Sequence, residues 1–416
     1  SNALLLNTTG ARNSAFGYNA LAANTTASYN STFGYGTLYQ NTTGANNSAF
    51  GYITLYSNTT GADNTAVGHG ALFANTTGAG NNAVGKNALY ANTTGAYNSA
   101  FSYEALLTNT TGNYNSAVGF QALKLNTTGA DNSAFGLQTL YYNTTGSYNS
   151  AFGNYALYNN TTGTPNSAFG YQALFLNTTG INNSAFGANA LDANTTGGYN
   201  SAFGKNALGA NTTANYNDAF GRNVLGTNTT GTYNSSFGYA SMEGNTTGTH
   251  NCAFGPYALD ANTTASYNHA FGYGSLSGVT TASNNAAFGY YSGNSITTGE
   301  KNTMFGSQAC DNLTTGAQNT YIGFDLNASS VGVNYELAFG CAITAGGTNT
   351  MRIGNTNAYI HIALNGSTTS WSAGSDERLK KDIQTSTAGL SFIKDLRPVT
   401  WKWNAKNAIA DSLPQY

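Results

Sequence analysis

A seventeen-residue unit recurs nineteen times without insertion or deletion, and a fixed short period of this kind demands a stacked architecture. One copy runs from Asn41 to Ser57 as Asn-Thr-Thr-Gly-Ala-Asn-Asn-Ser-Ala-Phe-Gly-Tyr-Ile-Thr-Leu-Tyr-Ser, and the next opens at Asn58. The starts step from Asn7, Asn24 and Asn41 to Asn262, then continue as Val279, Ile296 and Leu313. Two Thr follow every start, and an invariant Asn sits six residues in, at Asn13, Asn30, Asn47 and onward to Asn319. Gly follows the aromatic slot in eighteen copies (Gly17, Gly34, Gly51 and so on), the exception being Ser102. That slot holds Phe fifteen times, beginning with Phe16, Phe33 and Phe50.

Seventeen residues are too few for a helical-hairpin repeat, which takes more than about thirty. Ser-Ala-Phe-Gly alternates as a short strand does, and Asn and Gly tolerate the positive φ of tight corners. The period therefore predicts an all-β chain in which each unit makes one turn of a β-solenoid or β-roll. With turns about 4.8 Å apart, nineteen span roughly 90 Å. Equivalent side chains then stack: Phe and Leu ladders inside, Asn and Thr ladders at the corners, with Asn amides bonding along the column. One Phe, one Leu and a few Ala make a thin core for seventeen ordered residues. Stacking hydrogen bonds and neighbouring copies of the chain are expected to supply the rest, so a homo-oligomer is anticipated.

Composition narrows the function. Charged residues make up 7% of the chain and the net charge is -2, which offers neither nucleic acid nor an anionic membrane an electrostatic partner. No apolar run approaches the roughly 18 residues of a membrane span. Cys252, Cys310 and Cys341 lack metal-ligand spacing, and no cofactor motif, metal cluster or pair of carboxylates interrupts the repeats. His361 sits in an alternating stretch and reads as a packing or surface residue.

Tyr recurs just before the invariant Asn (Tyr29, Tyr97, Tyr114) and just after the Gly (Tyr18, Tyr35, Tyr52). Packing between chains and a stripe that stacks on a surface carbohydrate both fit that pattern. Asn-Thr-Thr also matches the N-glycosylation acceptor sixteen times, so Asn7, Asn24, Asn41, Asn58, Asn75 and Asn92 are candidates for a row of glycans; bare corners are the alternative. Adjacent Thr face opposite sides of a strand, which argues against an ice-binding face.

Three segments follow: a repeat shaft over 1–329, a β-rich transition and linker over 330–374, and a charged segment over 375–416. The first residues, with Ala3 and Leu4 aligned on Ala20 and Leu21, place the start of the chain inside a repeat, and its true start is expected upstream. The last segment holds seven of the fourteen Lys and Arg in a tenth of the length, with a helical stretch carrying Leu390, Ile393 and Leu396 that stops at Pro398.

Ser375-Asp-Glu-Arg-Leu-Lys380, followed by that Leu-rich stretch and by Arg397-Pro-Val-Thr-Trp-Lys-Trp403, resembles the start of the peptidase S74 domain. The Asn-Thr-Thr-Gly repeats resemble those that precede such a domain in tail-fibre proteins of phages and bacteria and, more loosely, the head repeats of trimeric autotransporter adhesins. The resemblance implies a self-cleaving intramolecular chaperone that holds three chains in register. It implies Ser375 as nucleophile, Lys380 as its base, the Gly374–Ser375 bond as target, and Asp376 and Glu377 as orienting groups. A hydroxyl needs such a base, and burial can lower a Lys enough to serve; Ser375 as a plain helix cap is the alternative. The family's domain continues well beyond Tyr416, so cleavage is expected of the complete protein. The expected function is an extracellular or virion-surface fibre shaft, and the alternative is a solenoid subunit polymerising end to end into a filament.

Overall fold

The computed structural model describes residues 2–364 and the two-residue strand Ser372–Ala373. The segment 375–416, with its expected helix, and Gly374, Ser375 and Lys380 lie outside the described residues. The described chain is an all-β solenoid with no helix.

Each turn contributes one short strand, from β1 (Ser14–Phe16) to β19 (Thr320–Phe324), and each pairs in parallel with its successor one period on. Thus Ser14 faces Ser31, and Phe16 faces Phe33. The rest of the turn lacks strand geometry but is bonded to its neighbour all the same. Leu21 N donates to Thr37 O at 2.9 Å, Thr25 N to Thr42 O at 3.1 Å, and Gly34 N to Phe16 O at 2.8 Å. Backbone groups are therefore satisfied around the whole circumference, as a buried wall requires.

The parallel stack runs on past residue 330. β20 (Glu336–Cys341) keeps the seventeen-residue step, with Thr320 opposite Leu337, and β21 (Thr350–Asn355) follows after fourteen, with Leu337 opposite Met351. β22 (Tyr359–Ala363) then folds back antiparallel on β21 and covers its free edge. Exposed parallel edges invite further strands, so this hairpin acts as a cap at that end.

Four residues per turn carry positive φ, and the invariant Asn are not among them. The wall Gly lies near φ +135 (Gly17), and a Cβ at Gly34 would fall 1.7 Å from Gly51 O. The other three left-handed positions are those of Tyr29, Asn19 and Leu21, repeated each turn. A left-handed L-residue costs about 1–2 kcal/mol. Burying Leu completely is worth about 1.5–3 kcal/mol, and its amide also bonds to the next turn, so the Leu corner is favoured overall.

The interior holds Leu, Ala and Asn columns; Phe is not in it. Ala49, Ala66 and Ala83 are fully buried, as are Leu21, Leu38 and Leu55. Phe16 and Phe33 are 65% and 62% exposed, which corrects the expectation of an internal Phe ladder. A three-residue strand sends its central side chain one way and its flanks the other. Here the central Ala faces the narrow lumen, so Ser and Phe face out. Near the C-terminal end the interior trades volume between columns. Met304 stands in the Ala column and Gly293 in the Leu column, where a Cβ would meet Met304 Cε at 2.6 Å.

Candidate functional site

Two Asn columns line the interior. In the first, Asn58 Nδ2 donates to Asn41 Oδ1 at 2.8 Å and to Gly61 O at 2.9 Å. In the second, Asn47 Oδ1 accepts from Asn64 N at 3.0 Å, while Asn47 Nδ2 donates to Gly61 O at 2.9 Å. Gly61 O thus receives an Asn from each column. The same geometry links Asn13, Asn30 and Asn47 by backbone N–H to side-chain oxygen.

This arrangement corrects the glycosylation expectation. Asn24, Asn41, Asn58, Asn75 and Asn92 are fully buried, and the Nδ2 that a glycan would occupy is committed to two hydrogen bonds. Asn7, in the first turn, is half-buried and donates to Gly10 O. The corner turns inward because the Asn amide is what joins one turn to the next. After the first turn, only the second Thr of each pair is exposed; the first, as at Thr42, bonds through Oγ1 to Thr59 O.

Both columns end in ways that follow from their partners. Val279 takes the place of the next Asn after Asn262, whose buried Oδ1 is left without a donor. The second column ends at Glu336, whose N–H donates to Asn319 Oδ1. The buried Glu336 carboxylate accepts from Tyr321 OH at 2.8 Å, from Ser329 N and from Gly347 N. Burial pushes the neighbouring Cys310 thiol up to about 12 and raises Tyr321 as well, so this cluster is inert and structural.

The outer wall carries aromatic columns. Phe rings stack face to face from Phe135 to Phe288, with Phe135 and Phe152 at 4.7 Å and 4° and Phe237 and Phe254 at 4.5 Å. The column before the invariant Asn stacks Tyr199, Tyr216, Tyr233, His250 and Tyr267 at 4.9–5.0 Å. The column after the Gly stacks Tyr18, Tyr35, Tyr52 and His69. A third column, Tyr39, Tyr56, Phe73 and Tyr90, escaped the sequence reading. Its signal was there in the seventeen-residue spacing, but its slot turns acidic or small from Asp192 onward.

Charge is sparse. Lys124 Nζ lies 2.9 Å from Glu104 Oε2, the one ion pair among the described residues. Among those residues no group of His, Cys, Asp and Glu is placed to hold a metal ion. His361 lies in β22 opposite Arg352. No helix among them is long and apolar enough to cross a membrane.

Comparison with known proteins places the C-terminal segment. Residues 375–413 match the family model of peptidase S74, described as the chaperone of endosialidase. No curated protein and no solved structure matches the chain. A repetitive β-solenoid followed by an S74 segment fits a tail-fibre-like protein with a self-cleaving chaperone domain.

Proposed function

We propose that the chain is the shaft of an extracellular fibre, a phage tail fibre or a cell-surface appendage, and that copies of it associate as a homo-oligomer, in the first instance a trimer. The observation that carries this reading is the uninterrupted stack leading into a chaperone of the S74 family. A coil whose interior is filled by Leu, Ala and Asn columns is built to hold a surface at a fixed repeat. The Phe column supplies an apolar stripe for contact between copies, because it leaves aromatic rings partly in water along one line. The Tyr columns supply amphipathic rings suited to a surface carbohydrate.

In the complete protein, Ser375 is the nucleophile and Lys380 its base, cutting the Gly374–Ser375 bond once the shaft has formed. The alternative, end-to-end polymerisation of single solenoids, is disfavoured by the β21–β22 hairpin over the last parallel edge. Light scattering of the purified chain tests the choice: a discrete mass of three chains supports the shaft, a single-chain mass overturns it, and lengths that grow with concentration favour the filament. Ser375→Ala in the complete protein should abolish a fragment ending at Gly374; persistence of that fragment sinks the assignment.

A further inference from the structure

Two clefts open on the outer wall, and they occupy the same place six turns apart. One, of about 350 Å³, is lined by Tyr155, Tyr158, Tyr171, Gln172 and Phe175. The other, of about 260 Å³, is lined by Tyr257, Asp260, Tyr273, Gly274, Ser277 and Tyr291. Six periods of seventeen carry Tyr155 onto Tyr257, Tyr171 onto Tyr273, and Tyr158 onto Asp260. The two sites therefore share two tyrosines, while Tyr158, Gln172 and Phe175 of one give way to Asp260, Gly274 and Ser277 in the other, which brings in a carboxylate.

Both clefts form where Tyr occupies the left-handed position two residues after the wall Gly. Tyr155, Tyr257 and Tyr291 sit there at φ 62, 57 and 49, where most turns carry Asn, Gln or Gly. Left-handed corners recur in every turn, so the feature peculiar to the clefts is the ring that this corner carries. Between Tyr257 and Tyr291 the same position is Gly274, where a Cβ would fall 2.5 Å from the Tyr291 ring. The missing side chain lets the Tyr291 ring lie directly over Gly274 as one side of the cleft. The rings meet at steep angles: Tyr257 and Tyr273 at 73°, Tyr273 and Tyr291 at 84°.

Asp260 Oδ1 is buried at this cleft without a hydrogen-bond partner. Burial raises the Asp260 carboxyl, amides at Asp260 and Ala261 offset part of that, and Glu243 adds to it. A half-buried carboxylate with one oxygen unmet favours a donor or a cation, and tyrosine faces attract cations. Elsewhere the chain answers the same need from its own sequence. Lys124, eight turns before Asp260 in the same slot, places its ammonium 2.9 Å from Glu104 and 5.6 Å from the Tyr141 ring centroid. Arg222 covers Tyr239 at 5.9 Å. Among the described residues, neither Asp260 nor the rings of Tyr257, Tyr273 and Tyr291 have such a cation.

We propose that the Asp260 cleft binds an organic ammonium group supplied from outside the chain, with the carboxylate as counter-ion and Tyr257, Tyr273 and Tyr291 as walls. The inference goes beyond the fibre reading and does not depend on how many copies associate. Two sources share this chemistry: a quaternary headgroup and the protonated amine of an amino sugar.

Calorimetric titration of the whole chain at neutral pH tests it, with choline and glucosamine as probes. Their neutral counterparts are 3,3-dimethylbutan-1-ol and N-acetylglucosamine. At least one cation should bind, at least about tenfold more tightly than its neutral counterpart, and the one that binds names the source. Asp260→Asn should weaken the cation by about tenfold or more while the circular dichroism is unchanged. Gly274→Asn, which restores the residue type of Asn206 and Asn223 at that position, should push the Tyr291 ring aside and remove binding, with the circular dichroism unchanged and a small drop in melting temperature. Equal binding of charged and neutral probes overturns the proposal. So does binding untouched by both substitutions, or no binding of either cation.

Discussion

Asn58 donates to Asn41 across 2.8 Å, in a fully buried column where neither side chain meets water. This bond, repeated from turn to turn, joins the solenoid along its axis as the backbone ladder does. A buried amide so placed is worth keeping only while both of its ends are met, because an orphaned group costs about 1–3 kcal/mol.

Asn58→Val should therefore destabilise the stack by about 1–3 kcal/mol, since it strands Asn41 Oδ1, leaves Gly61 O with Asn47 alone and leaves the Nδ2 of Asn75 with Gly78 O alone. Val279→Asn should change stability by less than about 1 kcal/mol, because the new amide meets the orphan Asn262 Oδ1 while apolar burial is lost. Amide hydrogen exchange, read turn by turn, checks both. Loss of protection confined to the turns around Asn58 is expected of a stack coupled to nearest neighbours.

Gly293→Leu alone should cost about 1–3 kcal/mol through its clash with Met304. Met304→Ala alone should cost about 2–5 kcal/mol through the cavity it leaves. The double substitution recreates the Leu and Ala pairing of the other turns and should recover most of the loss. A double-mutant cycle in denaturant, with a coupling near zero, would refute the exchange of volume between these two columns.

Phe203→Asp with Phe220→Asp should leave the β signal intact while reducing the mass in solution to that of a single chain. The rings stack on the outside at 4.7 Å, and Val67, Val84 and Val118 already stand in that column, so the fold does not need them. Loss of the fold itself would count against an outward, contact-making role.

The Glu104 and Lys124 pair should give a small acid dependence. Burial pushes Glu104 up, but bonds from Lys124, Gln121 and Tyr103 more than offset it and hold Glu104 below its ordinary 4.5. A folded value below the unfolded one stabilises above the unfolded value, and that gain fades as pH falls through the folded value. Glu104→Gln should thus lower stability by less than about 1 kcal/mol at neutral pH, as for a largely surface pair. At a pH well below 4 it should have no effect. Thermal melts at the two pH values decide it.

The seventeen-residue spacing was enough to establish one turn per unit, the parallel register and the stacking of like on like, since no other arrangement repeats at that length without a gap. It could not tell which face of the wall each slot meets. Ser-Ala-Phe alternates whichever way it points, and only the closed cross-section, already filled by the Leu and Asn columns, turns Ala49 inward and Phe50 outward. The same closure draws Asn41 inside, where its corner spelling had suggested an exposed acceptor. The turn at β20 keeps only Ala338-Phe339-Gly340 of the spelling and the turn at β21 breaks the seventeen-residue step, so the continued stack shows fully only in the backbone bonds. The Asp260 cleft is likewise a product of tertiary structure: Tyr257, Gly274 and Tyr291 are far apart in sequence and become one wall because each turn lies on the last.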